Sequence, residues 1–257
     1  NCGPRCGFGA RHCVRLGEVT TSGYTIIDLP TPSQQLVHVY PGMEELGRVY
    51  RADLAINAGP NRFTDAVQKI EAPSLLPWSK WRRQLRDDYL AWSEPRPQPG
   101  TVQLGEIIRS LRAELPRDAV VTNGAGNYTA WLHRHHCYCA PGSQLAPTSG
   151  SMGYGLPAAI AAKLLQPQRT AIAFSGDGCF LMTGQELATA VQYELSLVVI
   201  LINNGMYGTI RMHQEKRYPG RISGTDLVNP DFCKLAVAFG AYAERVKETK
   251  EFIPALR

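Results

Sequence analysis

Phe174-Ser175-Gly176-Asp177-Gly178-Cys179 and Val198-Val199-Ile200-Leu201-Ile202-Asn203-Asn204 decide the fold of this chain. In each, a short apolar run ends at polar residues, the pattern of a buried strand in a parallel sheet. Between them, residues 185–195 carry Leu187, Val191 and Leu195 at helical spacing, so the unit reads strand, turn, helix, strand. Parallel strands end at one edge of their sheet. The Asp177 carboxylate and the Asn204 carboxamide, 204 − 177 = 27 positions apart, are therefore expected side by side. Hard oxygen ligands of this kind suit Mg²⁺, which shares its shell with phosphates and water. Gly176 and Gly178 let the backbone approach a phosphate, and the N-terminus of the helix that follows the turn would favour its negative charge. The stretch reads as a Mg²⁺-diphosphate site.

Gly176-Asp177-Gly178 followed by Asn203-Asn204 at this distance resembles the signature of thiamine-diphosphate enzymes of the acetolactate synthase and 2-oxo-acid decarboxylase type. A bare Gly-Asp-Gly is weak, and the spacing and strand contexts are what give it weight. Gly150-Ser151-Met152-Gly153-Tyr154-Gly155-Leu156-Pro157 is similar to the family segment under the thiazolium ring. There the resemblance implies that Met152 bends the cofactor and that the Gly150 carbonyl meets its amino group. It implies a metal shell of Asp177, Asn204 and the Met206 carbonyl. Ala125, Gly126 and Asn127, in the glycine loop after the strand at residues 119–122, become candidates for touching the diphosphate; a plain strand-to-helix turn is the alternative. Gly176, Gly178, Cys179, Tyr207 and Gly208 complete the candidate cofactor contacts.

The implied activity is cleavage or formation of a carbon–carbon bond on a 2-oxo acid, with thiamine diphosphate and Mg²⁺ as cofactors. The family's activating Glu belongs to a separate amino-terminal domain that nothing in this chain resembles, so no catalytic residue is assigned. The expectation is an enzyme incomplete on its own, working as a homo-oligomer or with a separate pyrimidine-domain chain. A cofactor-binding module without turnover, or an unrelated hydrolytic activity, stays open. For hydrolysis, Ser151 and Ser175 have no recognisable His/Asp arrangement in sequence.

The fold class expected is α/β: a doubly wound parallel sheet preceded by part of a Rossmann-like central domain. Residues 1–75 read as that partial domain, with a strand at 35–40 and a helix at about 61–70. Residues 76–100 read as an amphipathic helix and a stiff Pro-rich linker. Residues 101–257 read as the cofactor domain, truncated at its C-terminus, with helices at 104–115 and 156–164. In the connecting helix Trp78, Trp81, Leu85, Tyr89 and Trp92 recur every three or four positions, an aromatic face expected to pack against a domain.

Two His/Cys clusters invite a metal reading. Cys2, Cys6, His12 and Cys13 have spacings unlike paired zinc knuckles, and read as an altered or remnant end. His133, His135, His136, Cys137 and Cys139 read as a solvated, incidental cluster. Unpaired thiols fit a cytoplasmic protein. With 44% apolar and 19% charged residues, the 257-residue chain has ample material for a core. A net charge of +5 without a basic run implies no nucleic-acid partner. The longest apolar stretch, residues 195–202, is too short to span a bilayer, so no membrane partner is expected.

Overall fold

A computed structural model describes the backbone of residues 12–16 and the whole of residues 28 and 30–257. The side chains of the amino-terminal Cys/His cluster and the Gly23-Tyr24 turn lie outside the described residues. The chain divides into two compact units, with the boundary between Ser79 and Lys80.

The first unit holds β1 (His12–Leu16), β2 (Gln35–Tyr40), β3 (Leu54–Asn57) and α1 (Pro60–Val67). The strands form a parallel sheet in the order β1-β2-β3. Leu36 and Tyr50 make its small core, with Val49 and Ala52 against them. Asp53 closes the β2–β3 connection: its Oδ2 accepts the Leu36 N–H at 2.7 Å, and its own N–H donates to the Leu36 carbonyl at 2.9 Å.

The second unit runs through α2 (Ser79–Ser93), α3 (Leu104–Glu114), β4 (Val120–Asn123), α4 (Tyr128–His135), β5 (Gln144–Leu145) and α5 (Gly155–Leu165). It continues through β6 (Ala171–Gly176), α6 (Asp177–Phe180), α7 (Leu187–Gln192), β7 (Val198–Ile202), α8 (Gly208–Arg217), α9 (Phe232–Ala238) and α10 (Phe252–Leu256). Four parallel strands stand in the order β5-β4-β6-β7. Side chains alternate across a strand, and β7 shows the result. Val198, Ile200 and Ile202 pack with Ile108, Leu111, Leu132 and Phe252 on the α3/α4/α10 face. Val199 and Leu201 pack with Leu156, Ile160, Phe180 and Leu187 on the opposite face. Both faces are covered, as parallel sheets require, and the fold is the doubly wound α/β type.

Backbone proximity seats α5. A Cβ on Gly155 would stand 3.0 Å from both the Gly124 nitrogen and the Phe174 oxygen. The buried Thr122 hydroxyl donates to the Gly155 carbonyl at 2.6 Å, tying the first turn of α5 to β4. The Pro-rich segment after α2 is also anchored. The Gln103 side chain accepts from Gln98 N–H at 2.8 Å and donates to the Gln98 and Gly100 carbonyls.

Two expectations change here. The aromatic face is not buried among the described residues: Trp78, just before α2, and Trp81, Tyr89 and Trp92 within it are all exposed, with only the Arg86 and Arg134 guanidinium groups lying over the Tyr89 and Trp92 rings. Periodicity defines a face, but says nothing about what lies over it. The His/Cys cluster after α4 is likewise not solvated as a whole, because the helix ends at His135 and the chain turns inward. His135 and His136 are buried, and His135 Nδ1 bonds the Ser93 carbonyl at 2.7 Å. His133 Nε2 lies 3.2 Å from Asn123 Oδ1. Among the described residues no group of His, Cys, Asp or Glu could hold a metal ion.

Two stability measurements test this packing. Thr122→Val keeps the shape and removes the donor to Gly155, and is expected to cost about 1–3 kcal/mol in urea unfolding. His136 is the second case: burial, aided by the Arg112 charge, pushes its pKa down to about 4 from 6.5. Between those values the unfolded state binds the proton and the folded state does not, so stability falls as pH drops from about 6.5 towards 4 and levels off below. A His136→Gln variant is expected to show a flatter stability profile over that window.

Candidate functional site

The carboxyl edge of the sheet gathers three loops, after β4, before α5 and after β6, together with the segment that follows β7. Strand register explains the placement. Gly176 pairs with Ile202, so Asp177 and Asn203 emerge abreast, with Asn204 one step beyond. Asp177 is only 3% exposed. Its Oδ2 accepts the Gly205 N–H at 2.7 Å and the Asn229 Nδ2–H at 2.7 Å. The same Asn229 amide donates to Asn203 Oδ1 at 2.8 Å, so one side chain spans both strand ends. Asp177 Oδ1 has no donor among the described residues.

Asn204 shapes the next turn. Its Oδ1 accepts the Met206 N–H at 3.2 Å, and its amide lies against Gly208, where a Cβ would stand 3.1 Å from Nδ2. The Met206 carbonyl accepts the Gly208 N–H at 3.0 Å. A short antiparallel bridge, Met206 to Asp226, and the Tyr207 N–H bond to Thr225 O at 2.8 Å hold this turn against the segment leading to Asn229. The Tyr207 ring fills the space over Gly178, where a Cβ would meet it at 2.6 Å.

Cys179 and Tyr128 join the other loops. The buried Cys179 sulfur accepts the Gly153 N–H at 3.1 Å, and the Tyr128 hydroxyl lies 3.7 Å from it. The Tyr128 ring lies where Cβ atoms on Gly126 and Gly176 would stand. Burial, and next the neighbouring thiol, push the Tyr128 phenol far above its ordinary range, so it stays protonated as a donor. Asn127 Oδ1 accepts the Thr209 hydroxyl at 3.0 Å, linking the loop after β4 to α8. Ala125 is half-buried in that loop. Met152 is half-buried between Gly150 and Gly153, both in the left-handed region at φ +68° and +84°. An L side chain is strained there, while glycine is not.

Every candidate cofactor residue read from the sequence therefore stands in the loops of one sheet edge, with two qualifications. The turn after β6 is itself one helical turn, Asp177–Phe180, with only a small dipole, and the helix read over residues 185–195 is found as a separate element, Leu187–Gln192, beyond it. The Cys179 side chain is taken up by packing and by bonds to its own protein. Sequence reasoning missed Asn229, and gave Asn203 no role beyond its place in the double-Asn motif. An Asn before Pro230-Asp231 reads as an ordinary helix lead-in, and Asp231 does cap α9 by accepting the Cys233 and Lys234 N–H groups. Ser175 is buried, and Ser151 meets only Ser149, at 3.4 Å. Neither has a His or carboxylate partner among the described residues.

The donor set suits a small hard cation beside a diphosphate. One buried carboxylate keeps a free oxygen, a carboxamide and a carbonyl stand on the adjoining strand end, and no other carboxylate competes. A single negative charge neutralises only half of a divalent ion, leaving the remainder for phosphate oxygens. Gly150 has open space around its α-carbon, which leaves its backbone accessible.

Comparison with known proteins agrees with this geometry. The chain is 30% identical over 227 residues to the acetolactate synthase isozyme 2 large subunit of Escherichia coli K12, an alignment covering 88% of this chain and 41% of that protein. It is 30% identical over 244 residues to the acetolactate synthase large subunit of Corynebacterium glutamicum, covering 90% and 39%. Against the mitochondrial acetolactate synthase catalytic subunit of Aspergillus candidus it is 35% identical over 153 residues, covering 59% and 22%. The chain thus spans about two-fifths of the length of the first two relatives. Residues 124–257 match the family described as thiamine pyrophosphate enzyme, C-terminal TPP binding domain. The match takes in every loop of the site, and the chain belongs to the thiamine pyrophosphate enzymes.

Proposed function

We propose that this chain is the cofactor-binding part of a thiamine-diphosphate- and Mg²⁺-dependent enzyme that breaks or forms a carbon–carbon bond on a 2-oxo acid, of the acetolactate synthase or decarboxylase type. The observation that carries this reading is the buried Asp177 carboxylate. It is fixed through one oxygen by Gly205 and Asn229, with its other oxygen free beside the Asn204 turn. Residues 101–257 form the cofactor domain in this reading. Thiamine diphosphate, when bound, supplies a carbon nucleophile that also accepts the electron pair released as a 2-oxo acid loses carbon dioxide.

The chain's own residues bind and orient. Asp177 Oδ1, the Asn204 carboxamide oxygen and the Met206 carbonyl would hold Mg²⁺. Backbone N–H groups at Ala125, Gly126, Gly178 and Cys179, with Asn127, Tyr207 and Gly208 beside them, would receive the diphosphate. The Met152 side chain and the Gly150 carbonyl would set the angle between the two rings. Asn229 keeps Asp177 aimed through the N–H bond it donates to Oδ2. No residue here is assigned the proton-transfer role that the family gives to a Glu.

Partner and location follow the same reading. Two of the relatives are named large subunits, and Tyr154, Met182, Ile210, Met212 and Tyr218 leave apolar surface exposed in the cofactor unit. We place the chain in a cytoplasmic assembly, a homo-oligomer or a complex with a pyrimidine-domain chain. Among the described residues no helix is long and apolar enough to cross a membrane.

Titration calorimetry with thiamine diphosphate, with and without Mg²⁺, tests the assignment. Asp177→Ala is expected to abolish the Mg²⁺-dependent part of binding, and Asn204→Ala to weaken it less, since a neutral ligand is lost. Asn229→Ala is expected to weaken it about 10–100-fold, the usual scale for a group that orients a metal ligand. Undiminished cofactor affinity in the Asp177 variant would falsify the assignment.

A further inference from the structure

The opposite edge of the same sheet carries a second constellation. At the amino ends of β4 and β5 lies a cavity of about 180 Å³, lined by Arg112, Arg117, His136, Cys137, Cys139 and Ser143 among others. No Asp or Glu lines it, and neither arginine makes an ion pair among the described residues. The cavity wall is therefore positively charged. His136 adds nothing to that charge near neutral pH, because burial keeps it uncharged.

Backbone geometry brings the two thiols together. His136 leaves α4 in an extended conformation, at φ −82° and ψ 147°. In extended chain, residues two apart face the same side. Cys137 and Cys139 do so: their sulfurs are 4.0 Å apart, and the Cys139 thiol donates to the Cys137 carbonyl at 3.4 Å. Both are free, Cys137 half-buried and Cys139 exposed, unlike the enclosed Cys179. A disulfide requires the sulfurs to close to about 2 Å, a movement within reach of side-chain rotation and a small backbone adjustment. Guanidinium groups pair with carboxylates, so the arginines suit an anionic ligand.

We propose that Cys137 and Cys139 form a thiol–disulfide exchange site whose substrate is a small anionic disulfide, with glutathione disulfide as its type, held by Arg112 and Arg117. Cys139, the more exposed, releases its proton to solvent and attacks one sulfur of the small disulfide. A Cys139 mixed disulfide forms, and one half leaves as a thiolate that takes up a proton. The Cys137 thiolate then attacks Cys139 Sγ and expels the second half as a thiol. Two protein thiols give up two electrons and two protons, and one small disulfide becomes two thiols. A ring closed over so few residues is strained, which makes the bond readily reduced again.

The test treats the full chain with glutathione disulfide, quenches with acid, and maps each cysteine by peptide mass spectrometry. The expected result is a Cys137–Cys139 disulfide forming about tenfold or more faster than any modification of Cys233, a half-buried thiol with no such neighbours. Cys137→Ser is expected to halt at the mixed disulfide on Cys139. The Arg112→Gln/Arg117→Gln pair is expected to slow reaction with glutathione disulfide while leaving reaction with uncharged hydroxyethyl disulfide unchanged. Circular dichroism of each variant verifies its fold, and an Arg117→Gln single variant replaces the pair if that fails to fold. Oxidation no faster than at Cys233, or a mixed disulfide that persists with both thiols present, overturns the exchange site. Equal slowing of both probes overturns its preference for anions.

Discussion

The sulfur of Cys179 occupies space that no side chain at position 124 could share: a Cβ there would stand 2.1 Å away. That exclusion fixes the carboxyl edge of the sheet. The loop after β4 closes on the sulfur through Gly124, and the loop before α5 reaches it through the Gly153 N–H. Cys179 itself belongs to the turn after β6. Tyr128 fills the remaining volume, its ring against Gly126 and Gly176 and its hydroxyl 3.4 Å from the Phe174 carbonyl. Interiors are packed as densely as organic crystals, so large side chains must face small ones. Here glycines on three loops surround one sulfur and one ring. The positions of Asp177, Met152 and Asn127 are consequences of that packing.

Electrostatics imposes the second constraint. A buried carboxylate is costly unless hydrogen bonds replace the water it loses. Asp177 receives two such bonds on Oδ2, from a backbone N–H and from Asn229, and none on Oδ1 among the described residues. Half-satisfied in this way, the group keeps one oxygen without a protein donor among the described residues. The unpartnered Asn229 Oδ1, buried just behind, is part of the same compromise: its amide is committed to two acceptors, Asp177 and Asn203, so its carbonyl is left over.

What could be read from the chain was whatever depended on local pattern. The apolar runs before Asp177 and Asn203 specified parallel strands with both faces buried, and the strand at residues 35–40 matched β2 residue for residue. The site loops followed, since a doubly wound sheet delivers its strand ends to one edge. Asn229 was not readable, because its partner lies 229 − 177 = 52 positions earlier and only tertiary folding brings them together. The helix read over residues 185–195 is found shorter, as Leu187–Gln192, because spacing alone does not show that Glu194 takes a left-handed φ of +52° and ends it. The histidines after α4 looked solvated because sequence shows residue type, whereas burial was decided by the Ser93 carbonyl at the end of α2.

A single carboxamide then connects the two sides of the cofactor site. Asn127 follows β4, and its Oδ1 takes the Thr209 hydroxyl while its amide lies 3.7 Å from Met212 Sδ. Thr209 and Met212 sit in the first turns of α8, which begins four positions after Asn204. The loop after β4 and the segment after β7 are thereby linked without crossing the packed interior. An isolated, partly buried bond of this kind contributes only about 1 kcal/mol, too little to hold the loops rigidly on its own. Its value is directional: it selects one approach of α8 from those that Gly205, at φ +67°, and Gly208 would otherwise permit.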